Sequence, residues 1–588
     1  MSSVSRPLTA ANVLLSADVI VTKIGGDNAG QFRENYETIA AKLQRGVKQI
    51  LVVSAIRSSS SDYDSFSVPE VVDKSADGRV KHGFNTTSHL IQIAKLWSKS
   101  DAVHHAMSTG MNRWNTPDNE HRTKAMRICQ QIADFTKAAM RKNLEASENR
   151  VVIESLEAVV QHALSGSKSS SSLHSLLERP TQGGVRSQGE DWQLCYRESM
   201  TDPLEKRSIT GIGEELAQAL YIRYFQLQDI KVGKLDMYSD GMRRIAGSEP
   251  PDEMIDAKHL RDDIALQLQC LFMDNDIVIA GGYLPNIGSQ RGYSDKTGAL
   301  IAQAATKIGL GRVAYTIEKA MPIMSGDPRR INNPKVINRM SYFLAKELFG
   351  NTHGADGAAV HPKAIEWLSE DSIPIVVHNP QSAASGATLI DNYTPDPHGV
   401  EIVAVRKVPV AVEIRCARMI SEPGFLAAVT SFLAEQKISI DQVATSEGSI
   451  SLTFTESIDE EIFSNLRHVL CWKFGERVDI DREHEQVQIE VLRNKSLVFC
   501  LGNNMKTPGI ASKAALALQL VGADIHLITQ GLNECVMTFM IDDEKLDDAI
   551  SMLHDFCIVL PEKESTNLMM EMRAKIFSLL KSVKMEKT

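Results

Sequence analysis

The chain is 588 residues long, with 43% hydrophobic residues, 23% charged residues and a formal net charge of −10. This length exceeds what one hydrophobic core can organise, so we expect about two to four globular domains. The negative charge argues against nucleic-acid binding, which needs a basic face, and no apolar run approaches the roughly 18 residues that cross a membrane.

The amino-terminal segment and the cysteines indicate the compartment. Residues 1–23 contain one arginine and several serines, as a transit peptide would, but their apolar part runs directly into a lysine–glycine turn. We therefore interpret this part as an intact first strand. The eight cysteines show no CxxC or zinc-ligand spacing, so we expect reduced thiols, a cytoplasmic protein and no metal site built from side chains.

Strand-like apolar runs alternate with helical patterns up to about residue 390. VIVTKIGG at 19–26 precedes a helical pattern, and the buried-type run KQILVVSA follows at 48–55. A later run, DIVIAGGYL at 276–284, also ends in a glycine turn. This order predicts an α/β domain over residues 15–395, layered α/β/α with a mainly parallel sheet.

Two stretches rich in serine, glycine and proline interrupt this pattern. They cover about residues 57–83 and 165–190. A composition of this kind contains too little apolar surface to form a core of its own. We therefore interpret both stretches as surface insertions into the α/β domain.

After about residue 400 a repeat appears. EPGFLAAVTSFLAEQKISIDQVATSEGSISLTF at 422–454 and TPGIASKAALALQLVGADIHLITQGLNECVMTFMI at 507–541 each contain Pro-Gly, an amphipathic helix and two alternating strands. We expect two ferredoxin-like βαββαβ modules, at 400–482 and 487–570, packed side by side. The N–H groups at each helix start suit the carboxylate of a small amino acid, and the alternative is a purely oligomeric role.

Four separated segments are candidates for a reactive site, although each alone is a weak signal. The chain has no GxxxxGK[ST] sequence and no HRD or DFG pair, which disfavours a P-loop NTPase and a protein kinase. A glycine pair lets a backbone approach a ligand, and an arginine before a helix offers a carboxylate two parallel hydrogen bonds. The segments are Lys23-Ile24-Gly25-Gly26, Gly213-Glu214, Arg291 to Asp295, and Asp327-Pro328-Arg329.

In this order the segments resemble those of the aspartate kinases, which are amino-acid kinases with tandem ACT domains, and the monofunctional fungal type is the most similar. The family's Lys-Phe-Gly-Gly-Thr-Ser opening is KIGGDN here, TTSHLIQIAKL begins at Thr86, and NPQSAASGAT matches the closing segment. His361-Pro362 and the DIHLITQG of the second repeat also match. The resemblance implies an amino-acid kinase fold followed by two ferredoxin-like ACT domains.

The resemblance also implies an activity. It is phosphorylation of the β-carboxyl of L-aspartate by ATP with Mg²⁺, giving 4-phospho-L-aspartate, the first step towards homoserine, threonine and methionine. A carboxylate is already ionised at pH 7, so the reaction needs positioning and charge neutralisation rather than a general base. A specialised copy that supplies a secondary-metabolite pathway is compatible with this interpretation.

The same resemblance assigns the phosphate side of the site. Lys23 would steady the transferring phosphoryl group beside the N–H groups of Gly25 and Gly26. Asp295 would orient Lys23 or a magnesium-bound water. Further contacts with the nucleotide would come from Asp327 and Arg329.

On the substrate side, Arg291 would hold the α-carboxylate of aspartate and Glu214 its ammonium group. Ser54, Ser88 and Ser294 would add hydrogen bonds. The structural alternatives are a surface ion pair between Glu214 and Arg291, and helix caps for the three serines.

The tandem ACT domains imply regulation and assembly. In the family they bind threonine or lysine, and here such pockets would include Gly424, Asp441, Gln442 and Gly509. A homo-oligomer formed through the ACT domains is expected as well, with no nucleic-acid or membrane partner.

Three departures weaken the nucleotide side. Asp27-Asn28 replaces Thr-Ser after the glycine pair, and two like charges about 4 Å apart at an effective dielectric of 20 repel by roughly 4 kcal/mol. An acidic residue and a glycine of the family are replaced at Lys319, Met321 and Pro322, and Ala358 stands where relatives carry a polar group. The rival interpretations are therefore an impaired paralogue that acts as an ACT-based sensor or regulatory subunit, and a kinase for a different acidic amino acid.

Overall fold

The computed structural model divides the chain into two compact units, Met1–Pro322 with Ala359–Asn392 and Ile323–Ala358 with Tyr393–Thr588. Most of both expected insertions lies outside the residues that it describes. Those residues are 9–25, 29, 32–55, 57–58, 84–85, 131–132, 134–139, 141, 156, 203–237, 253–282, 293–352, 359–380, 382, 385–393, 399–416, 419–420, 423–474, 487–502, 505, 509–531 and 535–559.

The first unit contains a mainly parallel sheet, as predicted. Its strands are β1 Val19–Ile24, β2 Lys48–Val53, β5 Val232–Leu235, β6 Ile277–Gly281, β7 Val313–Glu318, β9 Ile375–His378 and β10 Ala387–Asp391, while β3 Arg57–Ser58 and β4 Phe84–Asn85 form a separate antiparallel pair. These seven described strands lie in the order β5-β6-β2-β1-β7-β9-β10, and of the six pairs between them β9–β10 is antiparallel and the other five are parallel. Every residue of β1, β6 and β7 is buried, as expected for parallel strands that are covered on both faces.

Helices cover this sheet. One of them, Tyr293–Lys307, packs closely against the strands. A Cβ atom at its Gly298 would be 2.5 Å from the Tyr315 hydroxyl oxygen, so only glycine allows this approach. Within the described residues, no helix is both long and apolar enough to span a membrane. The helices of this unit are α1 Ala10–Ser16, α2 Phe32–Leu43, α3 Pro203–Gln226, α4 Glu253–Asp274, α5 Tyr293–Lys307 and α7 Pro362–Glu370.

The second unit contains two four-stranded antiparallel sheets, in the orders β13-β14-β12-β15 and β11-β16-β18-β17. Each sheet with its two helices forms a ferredoxin-like module, which confirms the predicted fold of the repeats. The strands are β8 Arg339–Ser341, β11 Ile402–Val408, β12 Val410–Arg415, β13 Gln442–Thr445, β14 Ser449–Phe454, β15 Gln488–Leu492, β16 Lys495–Leu501, β17 Ile525–Gln530 and β18 Val536–Asp542. The helices are α6 Tyr342–Asn351, α8 Phe425–Glu435, α9 Glu460–Phe474, α10 Ile510–Leu520 and α11 Leu546–His554, with a 3₁₀ turn Asp543–Lys545 and a π turn Asp555–Val559.

The two modules are interleaved in sequence. Strand β11 precedes the first module along the chain but pairs with β16, from Ile402 opposite Leu501 to Val408 opposite Lys495. Strand β15 closes the sheet of the first module. The first module therefore spans 410–492 and is inserted into the second, which differs from the expected ranges 400–482 and 487–570.

Residues 323–358 belong to the second unit, whereas the sequence placed them in the domain at 15–395. The Val403 N–H donates to the Ser325 carbonyl at 2.9 Å, and the Ser325 hydroxyl lies 2.8 Å from Nε2 of the buried His554. Ile331 is part of the hydrophobic core of the second module. These contacts explain why the segment groups with that module.

A glycine in the left-handed conformation opens the first helix of each module. Gly424 has φ 91° before α8, and Gly509 has φ 95° before α10. A side chain would be strained there, although a Cβ atom would meet no neighbour within 4 Å. The Pro-Gly repeat of the sequence therefore reflects a backbone requirement.

His378 gives the first unit a predicted sensitivity to acid. Burial, helped by the charge of Lys42, lowers the pKa of His378 to about 4 from an ordinary 6.5. Below pH 6.5 His378 is protonated in the unfolded chain but stays neutral in the folded one down to about pH 4. The free energy of unfolding should therefore fall by about 2–3 kcal/mol between pH 7 and pH 4.5. Urea unfolding at both pH values should show a smaller fall for His378→Gln, and an equal fall in both proteins would contradict this assignment.

Candidate active site

A buried ion pair lies near the carboxyl end of the central strand β1. The Lys23 Nζ atom is 3.1 Å from Oδ1 of Asp295, and the two side chains are 9% and 8% exposed. Lys23 is the penultimate residue of β1, and Asp295 lies in the first turn of α5, where a carboxylate is favoured by the helix dipole. The ammonium group is therefore held at a fixed position.

Asp295 is stabilised as a carboxylate. Burial alone would raise its pKa, but the charges of Lys23 and Lys319, the hydrogen bond from Lys23 and the His361 N–H together hold that pKa below its ordinary value. The His361 N–H donates to Oδ2 at 3.0 Å, and the Tyr315 hydroxyl donates to the main-chain carbonyl of Asp295 at 3.3 Å. Asp295 therefore remains negatively charged at neutral pH.

Glycines and serines lie at the same edge of the sheet as this pair. Gly25 directly follows β1, and the Ser54 N–H donates to the Ile24 carbonyl at 3.3 Å. The Gly282 N–H donates to the Val53 carbonyl at 2.8 Å, and a Cβ atom at Gly282 would be 2.7 Å from Cβ of Ser294. Only glycine therefore fits between the end of β6 and the start of α5.

Glu214 faces the same region from α3. Its Cβ atom is 3.6 Å from where a Cβ atom of Gly281 would lie. One turn later, the Gln218 side chain donates to the carbonyls of Ile279 at 2.7 Å and Leu235 at 2.9 Å, which fixes α3 on the sheet. The structure thus brings together six of the residues selected from the sequence: Lys23, Gly25, Ser54, Glu214, Ser294 and Asp295.

Other selected residues are not part of this group. Gly26, Ser88 and Arg291, like Asp27, lie outside the described residues, so the expected convergence of Lys23 and Arg291 stays a prediction. Asp327 and Arg329 belong to the second unit, where the Arg329 Nη2 atom is 2.9 Å from Oδ2 of Asp327.

The selected regulatory residues lie in the second unit. Asp441 forms a buried ion pair with Arg406 of β11 and accepts a hydrogen bond from Thr453 at 2.9 Å. The Gln442 side chain accepts one from the Thr529 hydroxyl at 3.0 Å, across the two modules. Gly424 and Gly509 are the helix-opening glycines described above.

Sequence reasoning did not select Gly282 or the backbone N–H of His361. Gly282 had a signal, because a glycine pair ends a buried apolar run, as at Gly25-Gly26. His361 was recognised only as part of a turn, and its contact with Asp295 spans 66 residues, so local sequence gave no sign of it.

The position of the group in the sheet favours ligand binding. Strand β1 is central, β2 and β6 extend the sheet on one side and β7 and β9 on the other, so the direction of winding changes beside β1. Ligands of open α/β sheets bind outside the carboxyl ends of the strands at such a point. A fixed cation beside glycine turns suits a phosphate group. Among the described residues, no cluster of three or more His, Cys, Asp or Glu side chains could hold a metal ion.

Comparison with known proteins identifies the family. The model of the amino acid kinase family matches residues 18–379, and an ACT domain matches residues 498–556. An aspartate kinase of Stutzerimonas stutzeri, Ask_Ect, is 27% identical over 288 residues, so the match spans 47% of this chain and 56% of that relative. An aspartokinase of Candida albicans is 23% identical over 566 residues, which cover 91% of this chain and 89% of that protein.

A solved structure has the same fold. The crystal structure of Escherichia coli aspartokinase III superposes with a TM-score of 0.59 at 19% identity, covering 91% of this chain and 99% of that one. The family match covers more than half of the chain, and its range includes the sheet and the Lys23–Asp295 pair. The chain therefore belongs to the amino acid kinase family and carries an ACT domain in its carboxyl-terminal part.

Proposed function

We propose that the protein is an aspartate kinase, which phosphorylates the β-carboxyl of L-aspartate with MgATP to give 4-phospho-L-aspartate. The observation that carries this proposal is the buried Lys23–Asp295 pair at the carboxyl edge of the sheet, 3.1 Å apart. The curated relatives from Stutzerimonas stutzeri and Candida albicans bear the name aspartate kinase or aspartokinase. The similar Escherichia coli enzyme was solved with aspartate and ADP.

The proposed mechanism follows from charge and position. Lys23, held by Asp295, neutralises charge on the transferring phosphoryl group, and the Gly25 turn lets the backbone approach it. Glu214, Ser54 and Ser294 bind the amino acid beside it, with Arg291 as the proposed partner of the α-carboxylate. The aspartate β-carboxylate, which is already ionised, attacks the γ-phosphorus, the bond from this phosphorus to the β–γ bridging oxygen breaks, and ADP leaves with that oxygen.

An assay with hydroxylamine tests this proposal. Purified protein, L-aspartate, MgATP and hydroxylamine should give aspartyl hydroxamate at a rate that depends on both substrates. L-Glutamate in place of L-aspartate is the control for the rival acceptor. If no hydroxamate forms and calorimetry detects no ATP binding, the impaired-sensor interpretation holds instead.

We further propose that the ACT modules bind threonine or lysine and inhibit the kinase. The structure of Escherichia coli aspartokinase III with lysine supports this regulation. Either amino acid should lower the rate and raise the melting temperature. Gly424→Ala and Gly509→Ala form a matched pair, because each disturbs the left-handed residue that opens one module's helix.

In the module that responds, the glycine variant should lower the affinity for threonine or lysine about tenfold, since one hydrogen bond to a charged group contributes about 1.5 kcal/mol or more. The other variant should respond as the unmodified protein does. An unmodified protein whose rate and melting temperature are insensitive to both amino acids would refute this regulation.

A further inference from the structure

We propose that Lys319 is a second phosphate-binding cation of the active site and contacts the polyphosphate of the nucleotide. This inference rests on the proposed kinase function and names a further residue of that site. In the sequence, Lys319 was noted only because it replaces an acidic residue that the family carries near this position. The structure gives the changed residue a role of its own.

The position of Lys319 follows from strand register. Strands β1 and β7 are parallel neighbours, with Lys23 opposite Ile317. The Lys319 N–H donates to the His378 carbonyl at 3.0 Å, so the chain stays extended beyond the end of β7. Alternate residues of an extended chain share a face, so Lys319 follows Ile317 on the face of Lys23.

A second contact fixes which face this is. The hydroxyls of Thr22 and Thr316 lie 3.0 Å apart, so the residues in register with them share one face of the sheet. Lys23 and Ile317 are therefore on the opposite face, where Asp295 of α5 meets Lys23. Lys319 points to the same side, one step further towards the carboxyl edge where the phosphate would lie.

The charges around Asp295 favour a phosphate-binding role for Lys319. Asp295 orients Lys23 but also offsets part of its charge, so a second cation strengthens the attraction for the several charges of a polyphosphate. The charge of Lys319 also acts on Asp295 and helps to lower its pKa, which agrees with its position beside the pair. Lys319 therefore places a second ammonium group near the Asp295 carboxylate, and partial burial strengthens the effect of that cation on a phosphate.

Lys319→Met should lower kcat/KM for ATP about a hundredfold, with the KM for aspartate changed less than about twofold. Lys319→Arg should restore most of the loss because it keeps the charge. The matched control is Lys48→Met, which removes a lysine from the amino end of β2, at the opposite edge of the same sheet. This variant should behave as the unmodified protein does.

Calorimetric titration with ATP separates this inference from the proposed function. If the unmodified protein forms no phosphoaspartate but binds ATP at least about tenfold more tightly than Lys319→Met, the role of Lys319 stands and the kinase proposal falls. If Lys319→Met keeps its melting temperature and binds ATP as tightly as Lys48→Met, the inference is wrong even in an active enzyme. If the unmodified protein does not bind ATP, both proposals fail.

Discussion

Lys23→Met is expected to lower kcat about a thousandfold while the protein stays folded. Methionine is close to lysine in length but has no charge, so the transferring phosphoryl group would lose the cation that Asp295 fixes at 3.1 Å. The loss should appear in kcat rather than in the KM for aspartate, because the contact between Lys23 and the phosphoryl group is strongest in the transition state of the transfer. Initial rates of ADP release with both substrates varied provide the measurement.

Two further variants make this test specific. Asp295→Asn keeps the shape of the side chain but removes the charge that orients Lys23, so it should also lower kcat, by about a hundredfold. Lys307→Met makes the same substitution at the far end of the same helix, where the lysine pairs with Asp262 in solvent, and should leave the rate unchanged. A Lys23→Met protein with at least half of the normal kcat would exclude Lys23 from the chemistry.

Asp441→Asn is expected to destabilise the second unit by about 3–5 kcal/mol. The Arg406 and Asp441 side chains are 8% and 11% exposed, so the substitution leaves the Arg406 charge buried without its counter-ion. Thr453 also loses a charged acceptor for its hydrogen bond. Thermal unfolding followed by circular dichroism should show a lower melting temperature for the transition of this unit.

The controls separate burial from charge. Arg493 and Glu460 form an ion pair in the same unit with 46% and 70% exposure, so Glu460→Gln should change the unfolding free energy by less than about 1 kcal/mol. The double variant Arg406→Met/Asp441→Leu should recover most of the stability, because neither charge remains buried. Equal losses from Asp441→Asn and Glu460→Gln would show that the buried pair contributes no more than a surface pair.

Local sequence predicted those parts of the fold that depend on local geometry. The Pro-Gly repeat predicted helices that begin at Phe425 and Ile510, because a left-handed residue at Gly424 and Gly509 is a property of the backbone alone. The apolar run at 48–55 predicted a buried strand, and every residue of β2 after Lys48 is buried. Lys23 was selected for the same reason, since a cation next to a glycine turn is a local pattern.

Features that depend on distant partners could not be predicted in this way. The alternating run at 402–408 suits either sheet of the second unit, and its pairing with β16 is decided by the burial of Val403 in the second module's core. Lys319 likewise became informative only when the register of β7 placed it on the face of Lys23. The local pattern around Asp327 and Arg329 indicated a turn, but their place in the second unit depends on the packing of Ile331.

The interleaving of the two modules has a consequence for synthesis on the ribosome. Strand β11 emerges on the order of ninety residues before β16, the strand with which it pairs. At typical translation rates, β11 must wait roughly 5 to 20 seconds with its backbone N–H and carbonyl groups unpaired. Val403 and its apolar neighbours are then accessible to chaperones and to other nascent chains. The module translated between them can fold first, so a chain that stops after residue 492 would be left with an orphan strand prone to aggregation.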